Sequence, residues 1–249
     1  MVLLYVLLLA AGGTWLTQLR TTEWDTPLWV VVHPIAAASD ATTARYIEQL
    51  NDASFADIET FFAREGQRHG VPLRQPFVLR KGTQLSERPP APPRDDNPLE
   101  VIWWSLHLRW WSWRVERNYA DIPSTVRIYV VLHDPKSTVN VPHSLGLQKA
   151  LVGVVHGFSE KKMSARNNVV IAHELLHTVG ATDKYNPATS LPSFPGGFAE
   201  PRKQPRFPQQ FAELMGGRIP LSATHAQMPK SLKRVRIGAQ SALEIRWRD

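Results

Sequence analysis

Two imidazoles and a carboxylate crowd one short stretch, His173-Glu174-Leu175-Leu176-His177. On a helix, residues four apart share a face, so His173 and His177 can grip one metal ion. Glu174 is turned about 100° from His173. Its carboxylate can stand beside the ion and take a proton from bound water. Neutral imidazole suits zinc, and a catalytic zinc takes three protein ligands and keeps one position for water. The third ligand must come from beyond these two turns. Gly180 accepts the left-handed conformation that ends a helix, and a sharp turn there brings Asp183 back toward the histidines. Glu200, Glu213 and His225 are competing donors.

Read through to Tyr185, the stretch H-E-L-L-H-T-V-G-A-T-D-K-Y resembles the metzincin zinc peptidases, whose motif is H-E-x-x-H-x-x-G-x-x-H/D. Asp183 in the last position, with Tyr185 after it, is similar to the snapalysin-type variant. The resemblance covers this segment and one later turn. It implies His173, His177 and Asp183 as zinc ligands, Glu174 as the base and Tyr185 as a hydrogen-bonding partner of the oxyanion or of a ligand. In that family a tight turn places a methionine under the metal. Met215, followed by Gly216 and Gly217, looks like it. From sequence alone a gap-filling core methionine before a turn is nearly as good a reading. The implied fold is the zincin plan, with a mixed sheet, a backing helix and an active-site helix beneath a cleft.

The elements that must position these residues are legible in part. Leu28 to Ile35, Thr125 to His133 and Ala150 to Phe158 are β-branched runs that predict buried strands, and a further strand is expected over Pro76 to Leu79. His33 reads as a strand-end residue. Thr42 to Leu50 and Ala53 to Glu65 predict helices, with Asp52 as the cap of the second. Pro98 to Arg117 predicts a helix carrying five tryptophans. Trp103, Leu106, Trp110 and Trp113 share one face, with Trp104, Leu108, Trp111 and Val115 beside them. Packing of that helix on the sheet is the simpler expectation; aromatics interleaved with Arg109 and Arg114 also suit a membrane surface. Asn167 and Asn168 are expected to cap the metal helix near Val169, with Val169, Ala172, Leu176 and Val179 as its buried stripe. Asn186 to Pro208 reads as a loop long enough to wall a cleft. A strand over Arg234 to Ile237 and a helix over Ser241 to Trp247 close the chain.

At 249 residues the chain suffices for one sizeable core. The expectation is one α+β, zincin-like domain over residues 22–249 behind an N-terminal signal or membrane anchor in residues 1–20. Val2 to Leu16 is almost wholly apolar, which suits membrane association. Export follows, with the catalytic domain outside the cytoplasm, tethered or released. The absence of cysteine excludes disulfides, thiolate ligands and a cysteine nucleophile. The net charge is +7, but the basic residues are scattered and no nucleic-acid motif accompanies them, so no nucleic-acid partner is expected.

The function expected from these residues is zinc-dependent hydrolysis of peptide bonds in a protein or peptide substrate. The alternative is a catalytically silent zinc-binding scaffold at the cell envelope, and Glu174 argues against it, since a purely structural site has no use for a base. Sequence says nothing of the oligomeric state. Replacing His173 or His177 by Ala is expected to remove tightly bound zinc. A full equivalent of zinc in either purified variant would exclude the site.

Overall fold

The β-branched runs form the centre of a five-stranded sheet. In the structure, a computed structural model that describes residues 23–93, 97–119 and 123–248, the strands are β1 (Leu28–Ala36), β2 (Phe77–Lys81), β3 (Val126–His133), β4 (Leu145–Leu147) and β5 (Val152–Phe158). Their order is β2-β1-β3-β5-β4. The first four in that order run parallel, and β4 alone is antiparallel, pairing Gly146 with Gly153 of β5. Parallel strands are covered on both faces and so read as near-continuous apolar runs. β3 illustrates why: Val126, Ile128, Val130 and Leu132 enter one apolar cluster, while Tyr129 and Val131 enter the other.

Helices supply both covers. On one face lie α1 (Ala41–Gln49), α2 (Ala56–His69) and α4 (Ser164–Thr178), joined by buried Ile47, Ile58, Phe61, Phe62, Ile171 and Leu175. On the other face lies α3 (Pro98–Tyr119), which buries Leu108, Trp111 and Val115 against Ile35, Tyr129 and Val154. The Ser112 hydroxyl hydrogen-bonds the buried Tyr129 phenol across that seam at 2.8 Å. Beyond α4 the chain is largely irregular. It carries two small ladders, β6 (Ala212–Glu213) with β9 (Val235–Arg236) and β7 (Ile219–Pro220) with β8 (Ala226–Gln227), then the short α5 (Ala239–Glu244). Val235, Ile237, Ile245 and Trp247 return to the core that begins at Trp24, whose indole N–H donates to the Ile245 carbonyl at 2.7 Å. The molecule is thus a mixed α/β structure with a mixed sheet, as an α+β reading expects. Among the described residues no helix is long and apolar enough to cross a membrane. The Val2 to Leu16 run lies outside the described residues.

Three local expectations are corrected. Asp52 does not cap α2; it opens a 3-10 turn, Asp52–Phe55, capped reciprocally by Asn51 and Ser54. Its carboxylate instead accepts from Lys81 N–H of β2 at 2.7 Å. Asn167 and Asn168 lie inside α4, which begins earlier at Ser164. Their side chains are spent on tertiary bonds. Asn167 accepts from Phe158 N–H and donates to Phe158 C=O at the end of β5, and Asn168 donates to Ser54 C=O and Asp57. The strand predicted over Ala150 to Phe158 has a neighbour on each side: β4, which sequence did not show, lies outside it, because three residues with a central glycine carry no period to read.

One buried charge ties the C-terminal part to the helical layer. Glu65 of α2 is wholly buried and accepts from Ile237 N–H at 3.0 Å. It is paired with Arg68 at 2.6 Å and with Arg64 and Arg236 at 3.1 Å each. Burial pushes its carboxyl upward, but the Ile237 hydrogen bond and the Arg68 and Arg236 guanidiniums outweigh it and hold it below the usual range. A carboxyl lowered in the folded state adds stability that is present above its unfolded pKa of about 4.3 and lost as pH falls through the folded value. Glu65→Ala is expected to cost roughly 2–4 kcal/mol at neutral pH, discounted for arginines that stay 31–43% exposed and can rehydrate. In urea unfolding, the gap between parent and variant should close below pH 4. A gap that persists at the lowest pH would mean the loss is packing alone.

Candidate metal centre

Helix α4 presents His173 and His177 on one face because Val169, Ala172, Leu176 and Val179 hold the adjoining face in the core. The helix ends at Thr178, and Gly180 follows with φ 111°. That conformation favours glycine, and a Cβ there would also meet the Gln148 amide at 2.7 Å. The reversal returns Asp183 to the histidines. Its Oδ1 lies 3.1 Å from His173 Nε2 and 3.2 Å from His177 Nε2, and the two Nε2 atoms are 3.1 Å apart.

Each imidazole is aimed by its other nitrogen. His173 Nδ1 donates to the Leu214 carbonyl and His177 Nδ1 to the Ala181 carbonyl, both at 2.8 Å. A carbonyl only accepts, so each Nδ1 carries a proton and each Nε2 is left to present a lone pair inward. Two lone pairs and a carboxylate oxygen at these separations repel unless a cation lies among them. Without a metal that cation is a proton. Burial alone would depress the His173 imidazole, but the Asp183 hydrogen bond, the Glu174 charge, the Leu214 carbonyl and the Asp183 charge raise it to about 9. Burial pushes the Asp183 carboxyl up, and its two histidine partners pull it far below the usual range. His173, His177 and Asp183 can therefore hold a metal ion. The rival donors serve elsewhere or stand apart. Glu213 is buried against Gly216 N–H, Gly238 N–H and the Ser241 hydroxyl. Glu200 accepts from Gln210 N–H, and His225 is exposed.

Glu174 is 5% exposed, and its Oε2 has no hydrogen-bond partner among the described residues. Burial raises its pKa, against the pull of the His173 and His177 charges and with the push of Asp183. It borders a cleft of about 590 Å³, lined also by His156, Val170, His173, Tyr185, Leu214 and Arg218. Tyr185 stands 6.4 Å ring to ring from His173. Burial and the Asp183 and Glu174 carboxylates push its phenol up to about 12, so it stays protonated and can donate. The long loop supplies Pro187 and Ser190 to the same cleft. Met215 is wholly buried in the core. Its carbonyl accepts from Lys184 N–H at 2.9 Å. Gly216 packs so tightly on Gly197 that a Cβ would meet the Gly197 carbonyl oxygen at 2.4 Å.

Several positioning residues escaped the sequence reading. Gly146 of β4 lies against α4, where a Cβ would meet the Glu174 carbonyl oxygen at 2.5 Å and His177 Cβ at 2.7 Å. His156, whose place on the Ala150 to Phe158 run suits a site rim, does line the cleft; its partner His133 was not foreseen, and His133 Nε2 and His156 Nδ1 are 3.0 Å apart across β3 and β5. Burial, with the nearby His133 and Arg88 charges, lowers His156 to about 4. The third is Glu244 of α5. It accepts from Thr182 N–H and hydroxyl and pairs with buried Lys184 at 2.7 Å, so residues on both sides of Asp183 are moored to it. No sequence signal links positions 60 residues apart.

No protein family model and no curated protein sequence matches the chain. Among solved structures it is similar to a chain in "Structure of a chaperone-substrate complex", with a TM-score of 0.42 and 15% identity. The match takes 88% of this chain and 33% of that one, so the chain spans about a third of that neighbour's length. A likeness this distant carries no argument about fold family or activity.

Partners that aim a ligand typically change metal affinity 10- to 100-fold. Glu244→Ala is expected to weaken metal binding by roughly that factor although it removes no donor atom. Titration against a chromophoric chelator measures this. Unchanged affinity would mean Asp183 is placed without Glu244.

Proposed function

We propose that the protein is a zinc-dependent metalloendopeptidase of zincin type, with His173, His177 and Asp183 as zinc ligands. The observation that carries the reading is the pairing of three converging donors, two of them pre-aimed imidazoles, with a buried carboxylate, Glu174, that borders the cleft and whose Oε2 has no partner among the described residues. Two imidazoles and one carboxylate are a donor set that catalytic zinc accepts. Bonds of about 2.0–2.1 Å in a tetrahedron give donor–donor edges of roughly 3.3 Å, close to the separations found. A mixed sheet with one antiparallel edge strand beside the metal helix, and α3 behind, supports the zincin plan.

Zinc, when bound, supplies Lewis acidity for the carbonyl and lowers the pKa of water toward about 7. The chain's own groups do the rest. Glu174 takes the proton of the attacking water and passes it to the leaving amine; burial, by raising its pKa, suits it to both halves of that transfer. Tyr185, protonated, donates a hydrogen bond to the oxygen that gains charge. Its freedom to reach that oxygen comes from lying half-buried at the rim. An extended peptide can add to the outer edge of β4, which has no neighbouring strand among the described residues. The apolar Val2 to Leu16 run supports work outside the cytoplasm, tethered or released.

Glu174→Gln keeps shape and loses the base. It is expected to retain zinc and melting temperature while peptide cleavage falls roughly 10²–10⁴-fold. Asp183→Ala should lose zinc and activity together. Metal content, melting and cleavage of a broad peptide library decide. Undiminished cleavage by Glu174→Gln overturns the mechanism, and a zinc-loaded parent that cleaves nothing favours the silent scaffold.

A further inference from the structure

Helix α3 has two apolar faces where the fold uses one. Leu108, Trp111 and Val115 enter the core. On the opposite side Leu99, Ile102, Trp103, Leu106, Trp110 and Trp113 fall within an arc of about 100° at 3.6 residues per turn, and each is between 49% and 75% exposed. From Leu99 to Trp113 that stripe runs about 21 Å along the 22-residue helix. Isolated exposed apolar side chains are ordinary, but a continuous stripe of six large ones marks a docking surface.

We infer that this stripe lies in the interface of an anionic lipid bilayer, with α3 parallel to the membrane plane. Two features choose the lipid surface. Half of the stripe is tryptophan, whose ring is part apolar and part hydrogen-bonding and settles at the headgroup level. The stripe is bordered by arginines, as an amphipathic helix on anionic lipid is. The Arg114 and Arg117 guanidiniums lie 5.2 Å and 5.0 Å from the Trp110 and Trp113 ring centres. Arg109 and Arg117 have no carboxylate partner among the described residues, whereas Glu116 is neutralised by Arg127 at 3.0 Å. The chain as a whole is at +7, so the charge complementarity is with an anionic surface. The apolar Val2 to Leu16 run would keep the same bilayer at hand. None of this rests on the metal site.

The test uses the full chain, so that the N-terminal run is common to all samples. Tryptophan fluorescence is measured with vesicles of phosphatidylglycerol whose acyl chains carry bromine, and again with brominated phosphatidylcholine alone. The parent is expected to be quenched by the anionic vesicles, less by the zwitterionic ones, and less again in high salt. In Trp103→Ser/Trp110→Ser/Trp113→Ser most of that quenching should be lost while the melting temperature stays within a few degrees of the parent. In Arg109→Gln/Arg117→Gln, which keeps every tryptophan, the preference for the anionic vesicles should shrink. Equal quenching of the parent and the triple tryptophan variant overturns the inference, as does equal quenching in both lipids. So does a lipid-free parent dimer, seen by sedimentation, that the triple variant does not form, because the face is then an interface between copies. If the tryptophan variant melts far below the parent, Leu106→Gln/Trp110→Gln serves in its place with the same criteria.

Discussion

The hydrogen bond from His173 Nδ1–H to the Leu214 carbonyl joins the two halves of the molecule at the point where chemistry can occur. It fixes the tautomer of an imidazole that can hold a metal and ties α4, a product of the regular half, to a turn of the irregular half. That turn is rigid because Glu213 beneath it satisfies three donors, Gly216 N–H, Gly238 N–H and Ser241 Oγ–H. Burial raises the Glu213 carboxyl despite those bonds. A buried acid is costly unless hydrogen-bonded, so these donors and the acid depend on one another. The same turn accepts Lys184 N–H at the Met215 carbonyl, beside Asp183. One turn therefore orients both a histidine and the segment of the third donor, and a shift in it would move both.

Such an arrangement separates the stability of the site from the stability of the sheet. The sheet is built from long β-branched strands that alternate between two apolar clusters. The site instead relies on short polar bonds made by backbone in segments with little secondary structure. Glu244 and Lys184 exemplify this, since a buried ammonium paired at 2.7 Å is held only while its carboxylate is present. Close glycine contacts have a related role. Gly146 lets β4 approach the metal helix, and Gly216 lets the turn approach the loop at Gly197. In each case the missing side chain is the condition for two backbones to meet.

Much of the core was legible because burial imposes a period on sequence. The runs at Leu28, Thr125 and Ala150 became β1, β3 and β5 within one or two residues, and the stripe from Val169 to Val179 is the buried face of the metal helix. The helix over the tryptophans was legible too, and its packing on the sheet through Leu108, Trp111 and Val115 is as expected. Where polar side chains decided the outcome, sequence misled. Asp52, Asn167 and Asn168 have good capping chemistry, but each found a stronger partner in a neighbouring element once the chain was folded. Capping preference is local and modest, and a tertiary hydrogen bond to a buried strand end overrides it.

By itself the sequence determined which side chains could bind a metal and which could act as a base, because the spacing of His173, Glu174 and His177 along one helix settles their relative directions. It also determined, through Gly180, that the helix must stop before Asp183. Only the tertiary structure decided that Asp183 and not Glu200, Glu213 or His225 stands with the histidines. It also decided that β4 and not β5 forms the sheet edge, and that Glu244 moors the loop. Those outcomes depend on contacts between residues distant in sequence, where no periodicity or propensity operates.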